Sequence, residues 1–183
     1  MRSLQPTIVE VGYKINCVSN VSALDSTYDI DINVHLYWRD PKAIGIPNKS
    51  VLDLQQMKLF DPELVISNQH ILTEIAHKSK VVDSSTGEIK CSLQYRGSAF
   101  IMGLDLALFP FDYQNLNFVL RPRRLASDKL ILKVRKKSEC AFNRSIVHDW
   151  EVMGHFTRRY FTDPRISSGQ KEYSTLFITI LGR

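Results

Sequence analysis

"YDIDINVHLYWRD", Tyr28 to Asp40, alternates almost without a break: Tyr28, Ile30, Ile32, Val34, Leu36 and Trp38 are separated by Asp29, Asp31, Asn33, His35 and Tyr37. Successive side chains of a strand point to opposite faces, so this is a strand with one buried and one polar face. The same period recurs at Val9, Val11, Tyr13, Ile15 and Cys17, at Leu130, Leu132 and Val134, and at Leu176, Ile178 and Ile180. Turn chemistry fills the gaps: "RDPKAIGIPN", "DSSTGE", "LFPFD" and "TDPRISSGQ". No long amphipathic helix is evident, and "VLDLQQMKLF" (Val51 to Phe60) reads either as a short turn or as a strand. Strands with turns at short intervals predict an all-β, immunoglobulin-like antiparallel sandwich of about ten strands with little helix. With no internal repeat or linker, residues 1–183 read as one domain.

Composition narrows the function. A chain of 183 residues with 44% hydrophobic content buries a real core. No run here is long enough to cross a bilayer, and no signal peptide is expected. The net charge of +5 is modest, and the clusters "RPRR" (Arg121 to Arg124), "KVRKK" (Lys133 to Lys137) and Arg158-Arg159 come without a nucleic-acid recognition motif. They read as solvated strand ends, with no nucleic-acid partner expected. Cys17, Cys91 and Cys140 show no metal-ligand spacing, and an odd count leaves at least one thiol unpaired within the chain. The five histidines form no His-x-x-x-His pair, and there is no nucleophile elbow, phosphate loop or paired-carboxylate signature. The expectation is a binding domain, not an enzyme, with no metal and no cofactor.

The segment "GLDLALFPFDYQNLNF", Gly103 to Phe118, is the most specific. Pro110 cannot donate to a sheet ladder, so "LFPFD" is a turn between strands with Asp112 at the mouth of the next. "LDLALFPFDYQNL" resembles the Asp-Leu-x-x-Phe-Pro-x-Asp-x-Gln stretch of the extracellular domain of pentameric ligand-gated ion channels, the Cys-loop receptor superfamily. Other landmarks follow the family's order: "VGYKINCVSN"; "YDIDINVHLYWRD" with Trp38 and Asp40 as the Trp-x-Asp; "FDPELVISN" with Phe60 in a tryptophan's place; "STGEIKCSLQYR"; "DWEV"; and "YSTLFITILGR". The family's two loop cysteines are replaced by Met102 and Leu116, with thirteen residues between them. This marks a divergent or prokaryotic-like member. A disulfide there contributes roughly 3 kcal/mol, and Met102 and Leu116 are expected to offset part of that by apolar packing. Eukaryotic members usually open with a helix, and none is expected within the residues before Val9.

The resemblance implies the rest. The domain senses a small molecule bound between subunits of a homopentamer, or of a ring of related subunits. It signals to a membrane pore that is absent from this chain. The full protein is expected in a membrane, with this domain on the extracellular or periplasmic face. The 102–116 loop faces the membrane, with Phe109, Pro110 and Asp112 in it; Asp112 joins Arg183 in an electrostatic network, beside Asp25 from the first inter-strand loop. The simpler alternative is that Asp112 caps a turn. For the agonist, three loops of one subunit are expected to supply Ser67, Arg135, Tyr160 and Tyr173, and the neighbour's second strand Asn33 and His35. The amine-binding aromatic cage is largely missing, so Arg135, with His35, suggests an anionic ligand. Two other functions fit: a soluble pentameric binding protein of the same fold, and an unrelated sandwich-shaped interaction module.

Overall fold

The computed structural model describes residues 5–103, 114–136, 139–142, 152–166 and 170–182. They form β1 (Thr7–Ser22), β2 (Thr27–Arg39), β3 (Val51–Leu52), β4 (Leu64–Ile66), β5 (Gln69–Asp83), β6 (Glu88–Phe100), β7 (Gln114–Pro122), β8 (Leu130–Val134), β9 (Cys140–Phe142), β10 (Val152–Phe161) and β11 (Ser174–Gly182). The described residues include short 3-10 turns at Pro41–Ala43 and Pro164–Ile166. The ambiguous segment from Val51 resolves as both alternatives in sequence: β3, then a turn closed by Met57 N–H to Asp53 O (3.0 Å) and Leu59 N–H to Leu54 O (2.9 Å).

The strands make two sheets. The larger runs β3-β5-β6-β2-β1-β8, with β9 also on β1; the smaller runs β10-β11-β7-β4. The alternation in Tyr28–Trp38 sets the packing. Tyr28, Ile30, Ile32, Val34 and Leu36 are buried toward the small sheet, which sends in Leu116, Phe118, Leu120, Leu176, Ile178 and Ile180. Burying each such large side chain is worth about 1.5–3 kcal/mol, so the period-two pattern alone specifies which face closes on the core. Two pairings depart from the antiparallel expectation: β8 and β9 both run parallel to β1. β8 enters the large sheet from the small one across the sandwich instead of by a hairpin, so nothing forces it antiparallel.

Two of the sequence landmarks explain themselves physically. Asp40 is buried, and its carboxylate accepts N–H bonds from Lys42 (2.9 Å) and Phe60 (2.7 Å), capping the first 3-10 turn and tying it to the segment before β4. Gly87, at positive φ in the β5–β6 turn, lies against Asp40 O so closely that any Cβ would collide with it. Asn68 is the joint between the sheets. Its Nδ2 donates to Phe100 O (2.8 Å) on the large sheet and to Asn117 O (2.6 Å) on the small one, while its Oδ1 accepts from Val119 N–H (3.0 Å). The buried Tyr28 hydroxyl also donates to Asn117 O, at 2.6 Å.

Cys17, Cys91 and Cys140 are all thiols. Burial pushes the Cys91 thiol up to about 11. Leu116 points into the core, while Met102 is 44% exposed, so the burial expected of that pair is carried by Leu116.

Candidate ligand face

The β7–β8 and β10–β11 connections meet the segment before β4 at one end of the small sheet, and the β4–β5 corner lies further along its edge. The corner from β4 into β5 contains Ser67, whose N–H donates to Val119 O (2.8 Å). The β7–β8 connection is stitched to the segment before β4 by Arg123 N–H to Glu63 O (2.8 Å), with Arg124 and Glu63 3.8 Å apart. It is stitched to the β10–β11 connection by Ser127, which donates to Glu172 from both N–H and Oγ at 2.8 Å. Thr162 and Tyr173 close the base of the β10–β11 hairpin: Thr162 N–H donates to Tyr173 O (3.0 Å) and Tyr173 N–H to Thr162 Oγ1 (2.8 Å).

Beside these loops the outward face of the small sheet carries a groove of about 680 Å³, bordered by Ser67, Arg121, Arg158, Tyr160, Phe161 and Phe177 among others. Strand alternation makes it. On β7 and β11 the core takes Leu116, Phe118, Leu120, Leu176 and Ile178, which leaves Arg121, Thr175 and Phe177 on the other side. Tyr160 meets Phe177 edge-on at 5.1 Å, and the Arg158 guanidinium lies 4.9 Å from the Phe156 ring.

The large sheet's outward face carries a different group. Asn33 lies opposite Lys14 and Gln94. His35 is half-buried, and its Nδ1 is sealed from water with no hydrogen-bond partner. Burial and the nearby Lys90 lower its pKa, against an opposing pull from Glu139. The Arg135 guanidinium sits 3.5 Å from the Tyr37 ring centroid, 3.5 Å from a Glu10 carboxylate oxygen and 3.3 Å from one of Glu88. Its charge is met by two carboxylates within the chain.

Of the six residues expected at the ligand, Ser67 and Tyr160 therefore share the groove, and Tyr173 is half-buried at the base of the same hairpin. Asn33 and His35 belong to the opposite side of the sandwich, on the polar face of β2, and Arg135 packs there too, against Tyr37. Asp25 is exposed in the β1–β2 turn, where it accepts the Ser22 hydroxyl at 2.8 Å. Phe109, Pro110, Asp112 and Arg183 lie outside the described residues. Arg121 belongs to a basic cluster that reads as a solvated strand end, and Arg158 stands near the aromatics Tyr160, Phe161 and Tyr173; the signal that finds Arg121 is its place between the inward Leu120 and Pro122 of β7.

A two-sheet sandwich whose loops gather beside an aromatic groove is the build of a ligand-binding domain. The chain matches the neurotransmitter-gated ion-channel ligand binding domain over residues 1–178, and it belongs to that family. The family is not an enzyme class, and in membrane channels its domains are extracellular. No curated protein matches the chain. Among the described residues no helix is long and apolar enough to cross a membrane.

Proposed function

We propose that this domain assembles as a ring of five, binds its agonist between neighbouring copies or related subunits, and drives a membrane pore through the 102–116 loop. The observation that carries the reading is that one chain offers two separate faces. One is the small sheet with its groove and the β10–β11 hairpin, with Ser67, Tyr160 and Tyr173. The other is the large sheet, with Asn33 and His35 on its polar face and β5 at its side. From Gln69 to Lys78, β5 pairs with β6 only, among the described residues, and it leaves Ile71 and Ile75 69% and 47% exposed. An open strand edge carrying large apolar side chains calls for a neighbour. A ring in which the small sheet of one copy meets the large sheet of the next brings all five of those residues to one interface.

Arg135 brings no unbalanced charge to that interface, because Glu10 and Glu88 already answer it. An anionic ligand would need other groups as its charge partners.

Coupling is tested in the full-length channel. Asp112→Asn impairs gating or assembly more than ligand affinity, and reversing the charges of both Asp112 and Arg183 recovers part of the loss. Currents and binding are measured side by side. Normal gating in Asp112→Asn removes that residue, and the network with Asp25 and Arg183, from the mechanism.

A further inference from the structure

We infer that the groove on the small sheet is a site for a small amphipathic anion, an aromatic carboxylate, with Arg121 and Arg158 as its charge partners. The inference rests on reading the chain as a ligand-sensing domain and adds the chemical class of ligand.

The charges point to it first. Neither Arg121 nor Arg158 has an ion-pair partner among the described residues, in contrast to Arg135. The one described carboxylate bordering the groove, Asp163, is taken: Arg165 approaches it at 2.7 Å through Nη2 and at 3.1 Å through Nε. The groove therefore presents two uncommitted guanidinium groups and one neutralised acid. A cation entering it meets repulsion, whereas a carboxylate gains charge-assisted hydrogen bonds with the planar, multi-donor geometry that guanidinium provides.

Register then sets the shape of the ligand. Arg158 lies opposite Phe177, and Tyr160 opposite Thr175, across the β10–β11 pair. On the other side of β11, Leu176 faces Leu120, so Arg121 flanks Thr175. The two arginines thus stand on the strands either side of β11 and two residues out of level, roughly 12 Å apart on the diagonal. Between them lie the Phe177 ring, with Tyr160 edge-on against it, and Thr175. Thr175 supplies a third feature: its Oγ1 is buried on the groove's lining without a hydrogen-bond partner. An aromatic body over Phe177 and Tyr160 with its carboxylate toward the guanidinium side chains uses the ring pair and the uncommitted charge. The 680 Å³ volume falls within the roughly 300–1,000 Å³ usual for small-molecule sites.

The test titrates the 183-residue chain with phenylacetate, its neutral isostere phenylacetamide, and the phenethylammonium cation, by calorimetry. Phenylacetate is expected to bind about tenfold more tightly than either of the others, a factor set by one solvent-exposed charged hydrogen bond. Removing both groove arginines, Arg121→Gln with Arg158→Gln, should lose about that factor, each alone part of it, and Arg135→Gln should lose nothing. Arg158 is exposed, Arg121 is half-buried, and neither gives up an ion pair among the described residues, so melting temperatures stay near the wild-type value, and Arg121→Lys, which keeps the charge, retains part of the affinity. Equal binding of the three probes, no saturable phenylacetate binding, or a loss confined to Arg135→Gln overturns the assignment. The groove is built from a single chain, so these outcomes are independent of the current recordings that test coupling.

Discussion

Replacing Asn68 by alanine isolates the joint between the two sheets. The side chain is 5% exposed and makes three hydrogen bonds, two as donor and one as acceptor. Its loss does not fall equally on the three partners. Asn117 O keeps the Tyr28 hydroxyl. The Val119 N–H and the Phe100 carbonyl lose the side-chain partner and stay in a buried corner of the sandwich. A buried polar group left without a partner costs about 1–3 kcal/mol, and an ordinary lost bond about 1. The sum is about 3–7 kcal/mol, with the lower end applying if water enters the vacated space. Domains of this kind are stable by only about 5–15 kcal/mol, so the substitution removes a large share of the total. For a chain of this size about 3 kcal/mol lowers Tm by roughly 6–12 °C.

Urea denaturation read by tryptophan fluorescence gives the free energy, and Asn68→Asp supplies the control for mechanism. Aspartate keeps the acceptor for Val119 N–H but turns an oxygen toward the Phe100 and Asn117 carbonyls. Its carboxyl pKa is then raised in the folded state. A group raised on folding favours the fold below its unfolded pKa, near 3.9, and that advantage is lost as pH rises through the folded value. Asn68→Asp should therefore lose more stability at neutral pH than in mild acid, relative to wild type. A loss below about 1 kcal/mol for Asn68→Ala, or an Asn68→Asp deficit that ignores pH, would mean that packing and not hydrogen bonding holds the corner.

Two further outcomes follow from named side chains. Cys17, Cys91 and Cys140 are thiols, so melting curves with and without reductant should coincide; a large fall under reduction refutes this. His35 has a lowered pKa because it is half-buried and faces Lys90, with Glu139 opposing. The unfolded chain then binds the proton more readily, so His35 contributes stability that is present above about pH 6.5 and lost as pH falls through the folded value; His35→Gln should flatten the decline in Tm on acidification, and an unchanged decline refutes the assignment.

The sandwich was legible because burial in a sheet has period two and nothing else in this chain competes with it. Tyr28 to Trp38 specified its own inward face, and the same count picked out Leu176, Ile178 and Ile180, all fully buried. The parallel pairing of β8 and β9 with β1 left no local trace, since alternation is the same in parallel and antiparallel ladders. Asn68 was visible only as the end of a family-like stretch. Its three partners come from segments 32 to 51 residues away in sequence, a distance over which no local pattern operates.

The arginines show where such reading stops. Arg121 and Arg135 look alike in the sequence, each a cation in or just beyond a strand. What separates them is register. Val11 O accepts the Arg135 N–H at 2.9 Å, continuing the β1–β8 ladder, and the pairing of β1, β2 and β6 brings Glu10, Tyr37 and Glu88 around the guanidinium. Arg121 alternates outward from a sheet whose neighbouring positions are Thr175 and Val65, and neither carries a charge. A formal charge becomes available to a ligand only when the strands paired beside it supply no counter-charge. That is a property of three strands together, so ligand preference has to be argued from the sheet and not from the residue.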